Sequence, residues 1–217
     1  MKPSLTIASR NYGAWSLRGW LLCRLAGIDV EEQMLESTDP DTRAELLLLA
    51  PSSRVPCLRI DEAEIWDTLA IAEYLNERCP EACLFPADPI ARALCRSVSA
   101  EMHSGFTNLR SALPMNLRAS FSSFKVWSGV DADIQRIKTV WADCLERFGG
   151  PFLFGAHPTV ADAMYAPVCT RFRTYGIELD DALGAYCDTV YALPAMQEWL
   201  ALAASEPDVI DELDAEF

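Results

Sequence analysis

Histidine is nearly absent from this chain of 217 residues, which has only His103 and His157. Two imidazoles so far apart leave no obvious metal site and little support for a histidine-based nucleophile relay. Paired cysteines are missing too. The eight cysteines (Cys23, Cys57, Cys79, Cys83, Cys95, Cys144, Cys169, Cys187) are scattered through apolar helical patterns, with no Cys-x-x-Cys and no pair at metal-ligand spacing. They read as reduced, mostly buried thiols, and no metal is expected. Long apolar runs are also lacking. The longest, such as residues 46–50, fall far short of the ~20 residues that span a bilayer, and the N-terminal Met1-Lys2-Pro3-Ser4-Leu5-Thr6-Ile7 enters a strand-like run without a signal-peptide core. A cytoplasmic chain without a membrane partner is expected. Positive charge is scarce, with 18 Lys and Arg against 32 acids and a net charge of −14, which argues against a nucleic-acid surface. A small anionic ligand would still need local cations, and Arg10, Arg18 and Arg54 lie close to the segments singled out below.

What is present is apolar residue in quantity, 51% of the chain, enough for one large core or two modest ones. The first eighty residues alternate in pattern. A strand-like run at 5–8 precedes a helix over 16–26 ended by Gly27; a second run at 32–35 precedes a helix over about 41–50. Residues 54–75 then read as a short hairpin running into a helix that opens at Asp67-Thr68. The order β-α-β-α-β-β-α is that of a small sheet with helices on its faces. A stretch from Cys79 to Pro89 with three prolines reads as a linker, and the remainder is helical. Ala91, Leu94, Cys95, Val98, Met102, Phe106, Leu109 and Leu113 predict one long amphipathic helix; Ile134, Ile137, Val140, Trp141, Cys144, Leu145 and Phe148 predict a second, stopped by Gly149-Gly150. Shorter helices are expected near 159–175, 181–191 and 194–204, followed by an acidic, loosely docked tail over 208–217. The expected domains are 1–80, a linker 81–90, and 91–217.

Three local motifs stand at telling spacing: Ser9-Arg10-Asn11-Tyr12-Gly13-Ala14-Trp15-Ser16-Leu17-Arg18 after the first strand, Arg54-Val55-Pro56 with Asp67-Thr68, and Phe154-Gly155-Ala156-His157-Pro158-Thr159-Val160-Ala161-Asp162-Ala163. In this order, over nearly the whole chain, they resemble the cytosolic glutathione transferase superfamily. The resemblance implies an α/β thioredoxin-like N-terminal domain followed by an all-α C-terminal domain. It also implies glutathione as co-substrate, with a cis Pro56 that turns the Val55 backbone toward the cysteinyl unit, and Arg54, Val55, Pro56, Asp67 and Thr68 as glutathione-binding residues. On that resemblance, Thr68 and the helix amides receive the γ-glutamyl carboxylate and Asp67 faces the ammonium, which suits the positive end of a helix dipole. Asp67-Thr68 is equally a good helix N-cap, and the two roles coexist. Thr159-Val160-Ala161-Asp162 has the form of a reciprocal helix cap, with a use in folding.

A thiol with a free pKa near 8.5 needs roughly 2.7 kcal/mol of preferential thiolate stabilisation to fall by about two units. A hydroxyl donor at a helix N-terminus together with the dipole can supply it. In the serine-type classes the resemblance places that serine at Gly13, with Ala14 following, and neither carries a donor. Tyr12 and Ser16 are the nearest candidates for a catalytic hydroxyl, with the backbone amides of residues 13–16 as the alternative. Cys23 lies on an apolar turn and reads as core. The resemblance further implies a homodimer meeting through the helices that start near Ala91 and Asp131, and a second-substrate site in the cleft between the domains. Met102, Phe106 and Leu109 with Trp15 and Tyr12 make an apolar lining possible there. Three functions remain open: a transferase acting on a small apolar electrophile, a glutathione-dependent isomerase like the maleylacetoacetate isomerase of the zeta class, and a non-catalytic binding or regulatory protein of the same fold.

Overall fold

A computed structural model describes residues 2–35, 55–121 and 127–207. The helix expected over 41–50, Arg54 and the acidic tail lie outside the described residues. The elements are β1 (Ser4–Ile7), α1 (Ala14–Leu25), β2 (Glu31–Met34), β3 (Cys57–Ile60), β4 (Ala63–Ile65) and α2 (Thr68–Arg78), then α3 (Pro89–Ser104), α4 (Thr107–Ala112), α5 (Ser128–Phe148), α6 (Val160–Thr174), α7 (Asp181–Ala192) and α8 (Pro194–Ala204). The segment expected as a bare linker contains a 3-10 turn, Pro80–Ala82.

The four strands form a mixed sheet in the order β2-β1-β3-β4, with β1 and β2 parallel and the other two pairs antiparallel. The parallel pair requires a crossover, and α1 supplies it. Register opposes Cys57 to Thr6, and Leu58 to both Leu5 and Ile65. The end of β1, the start of β3 and the end of β4 therefore share one end of the sheet. That shared end brings the turn before α1, the dipeptide Val55-Pro56 and the start of α2 into one neighbourhood, although up to sixty residues separate them in sequence.

Helix α1 is buried on every side from Ala14 to Cys23, because it lies between the sheet and the helical half of the chain. Its one buried guanidinium, Arg18, donates from Nε to the carbonyl of Met164 on α6 at 2.8 Å and so ties the two halves together. Gly19 is glycine for a packing reason: a Cβ there would sit 2.5 Å from Cβ of Pro56. α6 is likewise buried nearly all round and acts as the central post of the helical half. Trp141 on α5 packs its ring against Tyr165, Phe172 and Tyr186 at centroid distances of 5.7, 5.4 and 4.9 Å, and such a buried aromatic cluster contributes heavily to the core.

The long helix expected from Ala91 to Leu113 is in fact two. Gly105 ends α3 in extended backbone, where a Cβ would meet the Glu101 carbonyl at 2.7 Å, and Phe106 takes a left-handed conformation with φ of 57°. The apolar spacing continues across this break because both segments face the same core, so periodicity alone did not reveal it. α4 then restarts, with the amide of Leu109 donating to the Asp133 carboxylate of α5 at 2.9 Å. At α6 the reciprocal cap forms as the sequence implies. The amide and hydroxyl of Thr159 both donate to Asp162 Oδ2, at 2.7 and 2.9 Å, and the amide of Leu153 donates to Oδ1 at 3.0 Å. Burial raises the Asp162 carboxyl above its ordinary range, and these donors oppose that rise. Seven of the cysteines are buried and Cys83 is exposed; all eight are free thiols. Among the described residues no helix is long and apolar enough to cross a membrane, and no group of His, Cys, Asp or Glu is arranged to hold a metal ion.

Candidate functional site

Three chain ends converge beside the C-terminal end of β1. The first is the turn from Ala8 to Gly13. It is held by a hydrogen-bond network that reaches the far end of the chain. The Glu206 carboxylate accepts from the Ser9 hydroxyl at 2.8 Å and from the amides of Asn11 and Arg10 at 2.7 and 3.1 Å. The Asn11 side chain donates to Asn116 Oδ1 at 3.0 Å and accepts from the amides of Leu117 and Arg118 at 2.9 and 3.1 Å. Arg118 in turn donates to the Glu206 carbonyl at 2.6 Å. Buried backbone donors need partners of this kind, and here they come from the helical half.

Tyr12 and Ser16, the two hydroxyls favoured as thiol donors, sit inside this turn. Ser16 is 1% exposed, and its Oγ accepts from the Ala8 amide at 2.9 Å, pinning the end of β1 to the first turn of α1. Tyr12 is 2% exposed; its hydroxyl accepts from Arg118 Nη2 at 3.3 Å. Both hydroxyls thus have structural partners. Gly13, where the serine-type classes would place their serine, has no room for one. A Cβ at Gly13 would lie 2.1 Å from the Ser9 carbonyl oxygen and 3.0 Å from Ser16 Oγ. The Gly13 amide donates to that same carbonyl at 3.0 Å, so the turn is drawn tight around the missing side chain. Gly13 is also the N-cap residue of α1, and without a side chain it leaves the helix start with no side-chain cap and no acid in its first turn. By contrast α2, α3 and α7 are each capped by an aspartate, Asp67, Asp88 and Asp180. Among the described residues, the first turn of α1 therefore presents donors and a dipole end that no carboxylate caps.

The second chain end is Val55-Pro56, whose peptide bond is cis, with Pro56 buried against Gly19. The third is the start of α2. Asp67 caps it, accepting from the Leu69 amide at 2.9 Å through Oδ1. Its Oδ2 lies 3.2 Å from Nε2 of His103, and Nδ1 of the same ring lies 3.4 Å from the Thr68 hydroxyl. The Asp67 side chain keeps 36% of its surface exposed, whereas Thr68 is fully buried. His103 also stands edge-on to Trp15 with ring centroids 5.1 Å apart. Burial lowers the His103 pKa from 6.5; Asp67 opposes the shift, and Arg18 and Arg110 reinforce it.

Of the remaining cations, Arg10 pairs with Glu32 at the edge of the sheet. Arg18 is fully buried over the Trp15 ring, 4.4 Å from its centroid, and its two terminal nitrogens have no hydrogen-bond partner among the described residues. Burial, with Arg171 and Arg110 nearby, holds the Arg18 pKa well below that of an ordinary guanidinium. The apolar stripe that made a second-substrate lining possible is packed into the core. Met102 and Leu109 are fully buried, and Phe106, Trp15 and Tyr12 are 7%, 6% and 2% exposed. Two participants had not been anticipated from the sequence. His103 was set aside because it has no second histidine to work with, and its only signal was a lone imidazole on an apolar helix face. Glu206 gave none, since an acid near an acidic C-terminus looks like any other.

A thioredoxin-like mixed sheet with an acid-capped helix beside Val55-Pro56, followed by a helical half, is the architecture of the glutathione transferase fold. The family models for the N-terminal and the C-terminal domain of glutathione S-transferases match residues 12–78 and 125–202, and the chain belongs to that family. Among its relatives, the maleylacetoacetate isomerase of Pseudomonas aeruginosa is 27% identical over 205 residues, covering 89% of this chain and 93% of that protein. A probable maleylacetoacetate isomerase of Caenorhabditis elegans is 26% identical over 182 residues, 82% of each chain. Solved structures with the same fold include the maleylacetoacetate isomerase of Anaeromyxobacter dehalogenans with glutathione bound in its active site. Its TM-score is 0.69 at 23% identity, covering 95% of this chain and 98% of that one. A glutathione transferase homologue from Burkholderia GL BGR1 with bound glutathione has a TM-score of 0.69 at 21% identity, covering 95% and 100%.

Proposed function

We propose that this chain binds glutathione at the shared end of the sheet and transfers its thiolate to a small electrophile. The carrying observation is the convergence of Val55-Pro56, the Asp67-capped start of α2 and the uncapped start of α1 at one sheet end. In this reading Val55 pairs through its backbone with the cysteinyl unit, Asp67 faces the γ-glutamyl ammonium, and the first-turn amides of α2, that of Thr68 included, take the carboxylate. Arg54 and Pro56 complete the glutathione-binding set by family resemblance. The thiol sulfur then lies near the first turn of α1, whose amides and dipole favour the thiolate. The thiol proton passes to solvent, the sulfur forms a bond to the electrophilic carbon, and the leaving group departs with its electron pair.

Tyr12 and Ser16 hold the turn in this account, and the amides of Trp15 and Ser16 meet the sulfur, those of Gly13 and Ala14 already donating to the Ser9 and Tyr12 carbonyls. Removing a side-chain donor from the developing charge would cost on the order of 10²-fold or more in rate. Conjugation of a generic aryl halide by Tyr12→Phe and Ser16→Ala distinguishes the two cases. A loss of less than about tenfold in both supports the backbone, and a loss of about 10²-fold in either makes that hydroxyl the donor. The division into 1–80, 81–90 and 91–217, assembly as a homodimer through α3 and α5, and a cytoplasmic location belong to the same proposal.

A second reading is a glutathione-dependent isomerase of the zeta type. The names of the relatives favour it. Turnover of maleylacetoacetate without conjugation of aryl halides would select it. Glutathione binding with neither activity would leave the non-catalytic binding protein.

A further inference from the structure

Asp67 and Thr68 are joined by a residue from the other half of the chain. His103 closes the C-terminal end of α3, and its two ring nitrogens face two different partners: Nε2 faces Asp67 Oδ2 at 3.2 Å and Nδ1 faces the Thr68 hydroxyl at 3.4 Å. A hydroxyl and a carboxylate satisfy opposite nitrogens of one neutral imidazole. The carboxylate can only accept, so Nε2 carries the proton; Nδ1 is then the acceptor, and the Thr68 hydroxyl donates to it. The edge contact with Trp15 at 5.1 Å fixes the ring plane from the side of α1.

We propose that neutral His103 is a positioning residue of the γ-glutamyl clamp, holding Asp67 and Thr68 in the geometry that receives glutathione, and that protonation of His103 weakens this binding. The inference rests on the glutathione reading above. In the neutral state the ring donates to Asp67 without cancelling its charge, and one Oδ2 lone pair stays available to an incoming ammonium. An imidazolium alters both arms: it neutralises Asp67 as a partner for the ammonium, and its Nδ1–H makes the Thr68 hydroxyl turn and accept where it had donated. The charged and titratable groups around the ring act in both directions. Asp67 at the start of α2 favours the imidazolium, while Arg18 on α1 and Arg110 on α4 oppose it, as does burial. Arg110 also reaches the His103 carbonyl, at 3.5 Å from Nη1. Thr68 and Trp15 complete the surroundings without charge. Opposition prevails, and the His103 pKa is lowered from its ordinary value, which favours the neutral ring.

The test combines calorimetric titration of glutathione with ¹⁵N NMR of the histidine rings, which are only two, so that exposed His157 serves as reference. In the ligand-free protein at pH 7.5, His103 is expected as the Nε2–H tautomer, with a titration midpoint below that of a free imidazole. Glutathione affinity of the wild type is expected to fall about threefold to tenfold from pH 7.5 to 5.5, and His103→Ala to lose a similar factor at pH 7.5, the worth of about one hydrogen bond. His103→Gln, whose amide donates to Asp67 but does not titrate, is expected to recover part of the affinity with a flat pH profile. Unaltered affinity and unaltered pH slope in His103→Ala overturn the proposal, as does a doubly protonated ring at pH 7.5. Failure of the wild type to bind glutathione overturns the binding reading and the clamp role with it. The tautomer measurement, which needs no ligand, shows separately whether the Asp67–His103–Thr68 arrangement is correct.

Discussion

Substituting Gly13→Ser places a hydroxyl at the position where serine-type transferases carry theirs, and the structure predicts harm from it. The Cβ would enter 2.1 Å from the Ser9 carbonyl oxygen, a backbone atom that cannot rotate away, and 3.0 Å from Ser16 Oγ. Relief requires the turn to open, which breaks the 3.0 Å hydrogen bond from the Gly13 amide to that carbonyl. Overpacking of this kind costs about 1–3 kcal/mol and the lost hydrogen bond about 0.5–1.5 kcal/mol. The sum, about 1.5–4.5 kcal/mol, corresponds to a fall in Tm of roughly 3–18 °C for a chain of this size. Thermal unfolding and aryl-halide conjugation, measured on the same preparation, check both halves of the argument. A variant as stable as the wild type with an increased rate would refute the reasoning, because the turn would then be a serine site that has merely lost its serine.

Removing the carboxylate that anchors the turn, Glu206→Ala, leaves two buried amides and a hydroxyl without their acceptor. It is expected to destabilise by about 2–4 kcal/mol in denaturant unfolding and to weaken glutathione binding as the turn loosens. Asp162→Ala removes the acceptor of three buried donors as well as the α6 cap, so a loss of roughly 3 kcal/mol is expected, larger than the ~1 kcal/mol of a cap alone, with glutathione affinity unchanged. An equally stable Asp162→Ala that fails to bind glutathione would overturn its purely structural role. The lowered pKa of His103 also sets a pH dependence of stability. Below 6.5 the unfolded chain binds more protons at this residue than the folded chain does, so its contribution diminishes stability as pH falls through that region. Tm measured from pH 7.5 to 5.5 should decline less steeply in His103→Gln than in the wild type.

Much of the fold was legible because its signals were local. Strand alternation, Gly27 after α1, the hairpin before α2 and the Thr159–Asp162 cap each sit within a few residues of what they determine. The break at Gly105-Phe106 was hidden because α3 and α4 share one apolar stripe. Of the site, the Asp67 cap and the cis Val55-Pro56 bond matched expectation. The reason for Gly13 did not show, since it lies in a backbone approach between residues that only the folded turn brings together. His103 and Glu206 meet their partners across 36 and 195 or more residues of chain, and no pattern in the sequence encodes such a contact. The apolar stripe of Met102, Phe106 and Leu109 was ambiguous between core and ligand pocket because both need the same residues, and packing resolved it in favour of core.

The central claim is that the shared sheet end holds glutathione through its γ-glutamyl unit. Calorimetric titration of the wild-type chain with glutathione, set beside cysteinylglycine, which lacks that unit, tests it most directly. Millimolar or tighter binding of glutathione with no measurable binding of cysteinylglycine is the predicted result. Absence of glutathione binding, or equal affinity for both, would contradict the account.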